Sequence, residues 1–352
     1  MNLTTIAVDL AKDVFEVAVA DRQFKIVERH RLSRSQFERF IGQHECSLWV
    51  MEACGGAHHW ARTLIKLGHE AKLLPPAYVR PYVRGNKTDR GDCAAILEAA
   101  RNPEIRPVPV KSTEQQALMA LHRVRAGWMV TRTARINLMR GMLREQGIAI
   151  PAGARVALRR VAELVHDQGT LLLEPLRALL QALLEEVRTI EARVVDLERT
   201  LAQQARSEPS VRQAMEIPGI GLLTATAARA QVGRIDTFKS ARHFAAWVGL
   251  TPREHSSGNT RHLGRISKRG DVYLRTLLIH GARAVLAAAK RKRRPPKALS
   301  RLAQWALRVE ARCGHNKACV ALANKLARTL WAVWRYERAY DPDQGPALAP
   351  SL

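Results

Sequence analysis

Residues 3–20, LTTIAVDLAKDVFEVAVA, open the chain with two runs of Val, Ile and Phe joined by a short polar connection, and a third such run follows at 23–31. β-branched and aromatic residues at this density, with tight connections, read as strands over 3–10, 13–20 and 23–31. Working outward, the pattern predicts a helix at about 34–43, a strand at 47–52, a helix at 57–68, a strand at 70–74 and a helix from Asp89 to about Ala100.

Three consecutive strands followed by alternating helices and strands is the order of a ribonuclease-H-like sheet. On that order four acids fall where chemistry would gather. Asp9 lies inside the apolar run Ile6–Leu10, Glu52 ends the run LWVME at 48–52, and Asp89 and Asp92 stand three apart in KTDRGD at 87–92. Asp89 and Asp92 share one helix face at that spacing. An acid in a buried strand is costly unless its charge is compensated, and a pair of divalent cations compensates it while clamping attacking and leaving oxygens in phosphoryl transfer. Oxygen-only ligands suit Mg2+, or Mn2+ in its place, and not zinc. Each acid also has a plain alternative. Asp9 can end a strand in a turn, Glu52 can pair with a base, and Asp89 with Asp92 can cap a helix N-terminus.

The chain has 352 residues, 47% hydrophobic and 25% charged, with a net charge of +25. That length holds two or three domains with full cores, and the charge suits a polyanion. Residues 206–352 hold 27 of the 57 Lys and Arg against 9 of the 32 Asp and Glu, whereas residues 1–112 hold 17 against 13. The basic surface is therefore C-terminal. Cys46, Cys54, Cys93, Cys313 and Cys319 show no zinc spacing, and scattered thiols fit a reducing compartment. With no basic leader, no apolar signal core and no run of roughly 18 uninterrupted apolar residues, the expected location is the cytoplasm, with no membrane partner.

Residues 113–165 read as helical with an Arg-rich face. Beyond them Leu173, Leu176, Leu180, Leu183, Val187, Ile190, Val194, Leu197 and Leu201 alternate steps of three and four, an a/d heptad seam. Pro175 requires the helix to begin beside it. Strict 3.5 periodicity favours an intermolecular coiled coil, and the alternative is an antiparallel hairpin with the preceding helix of the same chain.

From 206 the texture changes to Gly, Ser and basic loops between helices. The stretch Ile217-Pro218-Gly219-Ile220-Gly221 before LLTATAARA resembles the hairpin of a helix-hairpin-helix module, in which Gly219 and Gly221 allow close backbone approach and the helix N-terminus meets a phosphate; an ordinary Pro-Gly turn is the alternative. The basic run KRKRRPPK at 290–297 is a second candidate for phosphate contact. At 249–271, Ser256-Ser257-Gly258-Asn259 forms a turn flanked by Arg253, Arg261, Arg265, Lys268 and Arg269. A serine among cations can attack a phosphodiester, because positive charge stabilises the alkoxide and the pentavalent phosphorus. His255 and His262 are candidate proton carriers, and an unreactive phosphate-holding loop is the alternative.

Taken together, the blocks IAVDLAKDVFEVAV, MEACG, KTDRGDCAA, IPGIG, FAAWVGLTPREHSSG, ISKRGD and NKACVALANKLARTLWAV resemble the DEDD transposases of the insertion sequence 110 family, bridge-RNA-guided recombinases related to pilin-gene invertases. The resemblance covers nearly the whole chain. It implies a RuvC-like nuclease domain over 1–112 with its tetrad at Asp9, Glu52, Asp89 and Asp92. It also implies a mostly helical C-terminal transposase domain over 206–345 with a nucleophilic serine at Ser257, and Ser256 is a one-residue ambiguity. The helical and coiled-coil segment spans 113–205. The implied partners are donor and target DNA, a noncoding guide RNA, and other copies of the chain: a homodimer, with four protomers on synapsed DNA. A RuvC-like Holliday-junction resolvase, a site-specific DNA invertase and a noncatalytic nucleic-acid-binding scaffold are the rival functions.

Overall fold

A computed structural model describes residues 4–83, 89–167, 169, 172–291 and 299–342; the side chains of Asp89 and Arg90, and residues 292–297 of the basic run, lie outside the described residues. The chain divides into two compact units, Met1–Glu114 and Gln115–Leu352.

The first unit is a mixed sheet with helices on both faces. Its strands are β1 (Thr5–Leu10), β2 (Val14–Ala20), β3 (Ile26–Ser33), β4 (Leu48–Glu52) and β5 (Glu70–Leu74), and its helices are α1 (Arg34–Gln43), α2 (Ala57–Lys66), α3 (Pro76–Val79) and α4 (Asp89–Arg101). The strand order is β3-β2-β1-β4-β5. β1, β2 and β3 are antiparallel neighbours, while β4 runs parallel to β1 and β5 parallel to β4. Period-two alternation sends Ile6, Val8, Val17, Trp49 and Met51 to one face, against Phe37 and Ile41 of α1 and Trp60 and Leu64 of α2. The opposite face carries Ala7, Ala18, Ala20 and Val50, which pack with Cys93, Ile96 and Leu97 of α4. Small alanines there let α4 lie close to the sheet. The entry to α1 is fixed by a capping box, in which Ser33 Oγ accepts from Gln36 N at 3.4 Å and Gln36 Oε1 accepts from Ser33 N at 2.8 Å.

The second unit is helical: α5 (Thr113–Glu145), α6 (Ala154–His166), α7 (Glu174–Ser207), α8 (Pro209–Met215), α9 (Leu222–Val232), α10 (Ala241–Trp247), α11 (Val272–Arg291), α12 (Arg301–Cys313) and α13 (His315–Tyr336), with a two-stranded hairpin of β6 (Pro252–Glu254) and β7 (Leu263–Ile266). Helix α7 begins at Glu174 with Pro175 in its first turn, as the sequence required.

From Leu180 onward the heptad seam of α7 is largely covered from within the chain, which corrects the expectation of an intermolecular coiled coil along it; Leu173 at its start is exposed. Leu180, Val187, Ile190, Val194, Leu197 and Leu201 are all buried. Leu180 and Val187 pack with Ile136, Met139 and Leu143 of α5 and with Val161 and Leu164 of α6. Ion pairs Arg125–Glu198, Arg132–Glu191 and Arg135–Glu186 run in opposite order along α5 and α7, so the two helices are antiparallel. The physical reason is that a/d spacing specifies a narrow apolar stripe and a long straight partner, not which chain supplies that partner. Helix α5, 33 residues long, supplies it.

In the C-terminal core, Leu274, Leu278, Ala282 and Leu286 of α11 are fully buried among α9, α10, α12 and α13. Helix α11 is the one helix among the described residues long and apolar enough to cross a membrane, and its leucine stripe is spent inside this core. Two glycine crossings shape the region. A Cβ on Gly281 would lie 1.8 Å from the Gly219 carbonyl oxygen, so α11 meets the 217–221 turn backbone to backbone. A Cβ on Gly270 (φ +82) would lie 1.8 Å from the Trp247 carbonyl oxygen, and one on Gly249 (φ +82) 2.0 Å from that of Arg269. Buried Arg275 donates from Nη1 to the carbonyls of Val248 (2.9 Å) and Arg269 (3.1 Å). Both ends of segment 250–268 are thereby locked together.

His122 of α5 sits in a buried polar chain. Its Nε2 bonds Thr226 Oγ1 at 3.0 Å and its Nδ1 bonds the Tyr273 hydroxyl at 3.1 Å. Thr226 Oγ1 itself donates to Leu222 O, so the neutral imidazole satisfies both contacts. Burial first, and Arg125 second, push His122 down to about 4. A folded value below the unfolded 6.5 means the contribution to stability is complete above pH 6.5 and is lost as pH falls through 4. We expect thermal melts between pH 7 and pH 4 to show an acid-sensitive component on the order of 3 kcal/mol that disappears in His122→Gln; an unchanged pH profile in that variant would contradict it.

Candidate functional site

The first candidate centre is built by strand register. Val8 pairs with Met51 in the parallel β1–β4 ladder, which sets Asp9 beside Glu52 one step on. Asp9 pairs directly with Glu16 on β2, and Glu16 with Arg31 on β3. Laterally paired residues share a face, and Ala7, Val50 and Ala18, each two residues away on the same strands, pack against α4. Glu52, Asp9, Glu16 and Arg31 therefore form one row across β4, β1, β2 and β3 on the α4 side, stepping about 4.8 Å per strand.

Helix α4 brings its first turn to this row. Cys93 Sγ donates to Glu16 O at 3.1 Å, so the neighbouring Asp92, partly exposed, is carried to the same end of the sheet. Asp89 opens α4 three residues earlier; its carboxylate lies outside the described residues. Among the described residues no group of three or more His, Cys, Asp or Glu is gathered closely enough to hold an ion.

The local field is negative. Burial first, then Glu52 and Asp9, raise the Cys54 thiol above its ordinary value. Burial chiefly, with Asp9 and Glu16 adding, pushes Cys93 up to about 12. Both thiols stay protonated at neutral pH and offer no soft ligand, so the donors that remain are hard oxygens, which fit Mg2+ or Mn2+.

Glu16 was not among the sequence candidates. Its signal was present, since VFEVAVA sets an acid in an apolar strand just as IAVDL does. At 7% exposure it is the most buried acid of the row.

The second centre is the 252–266 hairpin. β6 and β7 pair with Ser257 and Thr260 bridging at the tip, Ser257 N donating to Thr260 O at 3.2 Å and Thr260 N to Ser257 O at 3.1 Å. Gly258 takes φ +55 there with open space around it, so glycine is needed for backbone conformation alone. The two serines differ in engagement. Ser256 Oγ donates to Glu254 Oε1 at 2.8 Å and accepts from His262 N at 3.3 Å. The Ser257 hydroxyl has no hydrogen-bond partner among the described residues. Glu254 also accepts from Arg261 Nε at 3.0 Å, and these two bonds, from Ser256 and then Arg261, hold its carboxyl below the usual range. Sequence reading had not singled out Glu254.

Arg253, Arg261, Arg265, Lys268 and Arg269 are all exposed, as are His255 and His262. Arg261 is tied to Glu254 and Arg253 donates to Ser267 O at 3.3 Å. Of the two IPGIG glycines, Gly219 (φ +94) is filled by protein, a Cβ there meeting Val285, Gly281 and Leu326 within 3.1 Å. Gly221 is exposed at the N-terminus of α9 with nothing near it. The acids belong to the first unit and the serine hairpin to the second.

Comparison with known proteins identifies the family. Residues 6–147 match a family described as Transposase, and residues 211–297 match the Transposase IS116/IS110/IS902 family. The chain is 45% identical to a probable family 20 transposase of Pseudomonas aeruginosa, over 97% of this chain and 100% of the relative. It is 38% identical to the transposase for insertion sequence element IS1111A of Coxiella burnetii, over 96% and 92%. It is also 24% identical to a pilin gene-inverting protein of Moraxella bovis, over 97% and 98%. The chain belongs to the IS116/IS110/IS902 family of transposases, and it is a DNA-processing enzyme.

Proposed function

We propose that this transposase moves its own insertion sequence by cleavage, strand exchange and religation, using an acidic metal site and a serine–DNA covalent intermediate. The observation that carries the reading is the register that sets Asp9 beside Glu52 with the first turn of α4, bearing Asp89 and Asp92, in front of them. The strand order β3-β2-β1-β4-β5 supports a RuvC-like, ribonuclease-H-like domain over 1–112. The helical segment 113–205 links it to the transposase domain over 206–345.

Divalent ions held by the tetrad would supply Lewis-acid stabilisation of charge at the scissile phosphate. Ser257 Oγ forms the new bond to phosphorus and the 3′-oxygen of the cut strand leaves with a proton, giving a 5′-phosphoserine link. The serine's proton passes to His255 or His262 on the same hairpin. In religation a 3′-hydroxyl attacks the phosphoserine and Ser257 is released. The phosphodiester energy is conserved, so the cycle needs no nucleotide cofactor. Arg253, Arg265, Lys268 and Arg269, with Gly221 at the α9 N-terminus, contact DNA phosphates. Donor and target DNA and a structured noncoding guide RNA complete the partners. A junction resolvase using metal-activated water is the rival, needing the tetrad but not Ser257. The similarity to a pilin gene-inverting protein favours site-specific inversion as a second reading of the same chemistry.

Assembly is part of the reading. Most of the α7 seam from Leu180 to Leu201 is already covered within the chain, so a homodimer, and a tetramer on two DNA sites, would use other surfaces, with one protomer's Ser257 serving the partner's tetrad.

Asp9→Ala, Glu52→Ala, Asp89→Ala and Asp92→Ala are each expected to lower strand cleavage by at least about 100-fold with DNA affinity little changed in gel-shift assays. Normal recombination by two or more of them would sink the metal reading. For the nucleophile, Ser257→Ala is expected to yield no protein–DNA adduct, whereas Ser256→Ala, which removes only the brace to Glu254, retains part of it. Peptide mapping of the adduct to Ser256 would reverse the assignment, and absence of any adduct in an active wild-type protein would favour the resolvase. Mixing Asp9→Ala with Ser257→Ala protein should restore partial activity; no restoration despite demonstrated hetero-assembly would mean that each protomer completes its own site.

A further inference from the structure

Helices α12 and α13 together carry seven Lys and Arg against a single acid, Glu310. Glu310 is already committed, since its Oε1 accepts from Lys290 Nζ and from His315 Nδ1, each at 2.7 Å. Neither helix therefore has a further carboxylate to neutralise the cations where the two pack together.

Three of those cations gather at one place. Lys325 Nζ lies over the Trp305 ring, 4.5 Å from its centroid. Trp305 and Arg308 share one face of α12 at i and i+3, and Lys325 and Arg328 share one face of α13 at the same spacing. Burial first, then the charges of Arg328 and Arg308, hold the Lys325 ammonium below its ordinary value. Among the described residues none of the three side chains makes an ion pair or a hydrogen bond, and Arg328 Nε is buried without a partner. One turn further along α13, Nε1 of Trp331, a residue 7% exposed, is a second buried donor with no acceptor. Like charges held together, beside donors that lack acceptors, are costly in the free protein. A phosphate group brings negative charge and several acceptor oxygens, and so offsets both costs.

The cluster adjoins the root of the serine hairpin. Asn324, next to Lys325 and one turn before Arg328, donates from Nδ2 to Leu250 O at 3.1 Å. From Leu250 to Ser257 an extended chain reaches at most about 23 Å, which is roughly seven base pairs of duplex. Hairpin and cluster belong to the same unit, so a duplex engaged at Ser257 is long enough to meet the three cations as well.

We propose that Lys325, Arg328 and Arg308 form a phosphate-binding site that grips the DNA backbone within about seven base pairs of the position attacked by Ser257. Its placement along the DNA rests on the proposed serine chemistry, whereas phosphate binding by the three cations does not. RNA presents the same phosphate; DNA is the partner favoured by the contact between α13 and the root of the hairpin.

The test uses the full-length protein, a duplex that the wild type cuts, and an RNA hairpin of equal length. Binding to each is read by anisotropy in EDTA across a salt series. Arg328→Gln and Lys325→Gln should each lower the salt slope for the duplex by about 1 and weaken binding roughly five-fold at about 0.15 M salt. Arg308→Gln, at an exposed position, gives the same readout where the core is not disturbed. Arg328→Lys keeps the charge and should keep the slope. Melting temperatures should stay near the wild-type value, since each Gln variant removes one of three mutually repelling charges. A single methylphosphonate moved along the duplex should weaken wild-type binding at one position within about seven base pairs of the cut, and Arg328→Gln should be insensitive to it there. Unchanged slopes in all three Gln variants would overturn the proposal. So would slopes that fall for the RNA hairpin alone, which would assign the cluster to RNA. Absence of a serine–DNA adduct would instead defeat the serine reading, while the slopes in EDTA still report on the cluster.

Discussion

Setting acids into the inner row of a sheet is costly, and the first unit is organised around meeting that cost. Glu52, Asp9 and Glu16 sit side by side on β4, β1 and β2, with Arg31 closing the row on β3. Like charges about 4.8 Å apart repel, a cost that the proposed divalent ions would help to offset. The alanines at 7, 18 and 20 serve the same end, since they let α4 approach the sheet closely enough to bring Asp92 and Cys93 to the row. Burial raises the Cys54 and Cys93 thiols, and the neighbouring acids add to the rise.

Much of this was legible in the sequence because strand alternation and turn chemistry are local. The strands at 5–10, 14–20, 48–52 and 70–74 and the helix at 34–43 follow from apolar runs and tight connections. Lateral pairing is not local. That Glu16 lies opposite Asp9 depends on the β1–β2 register, which nothing within VFEVAVA announces. The α7 seam shows the same limit at longer range. Its periodicity is plain in the sequence, but the partner is α5 of the same chain, matched through Arg125, Arg132 and Arg135 to Glu198, Glu191 and Glu186. Three cations of the arginine-rich α5 face are spent on in-chain ion pairs.

In the second unit, glycines with no room for a side chain do the positioning. Gly249 and Gly270 cross at the root of the hairpin and Arg275 ties both strands below it, so the exposed tip at Ser257 projects from a fixed base. Chemistry alone left Ser256 and Ser257 equivalent. Hydrogen bonding separates them, because Ser256 is committed to Glu254 and His262 while the Ser257 hydroxyl is not. The IPGIG turn illustrates the converse. Gly219, read from sequence as a point of close approach to phosphate, is an approach point for α11 instead, and only Gly221 stays open at a helix N-terminus.

The central claim is that the acids at the ends of β1 and β4 and on the first turn of α4 hold metal as one unit. Anomalous scattering from crystals of the full chain with DNA and Mn2+ tests it most directly. The account requires two peaks about 3.5–4 Å apart, within coordinating reach of Asp9, Glu52 and the α4 acids. Ordered DNA in that cleft with no anomalous peak beside Asp9 and Glu52, in a buffer where the same protein cuts DNA, would contradict it.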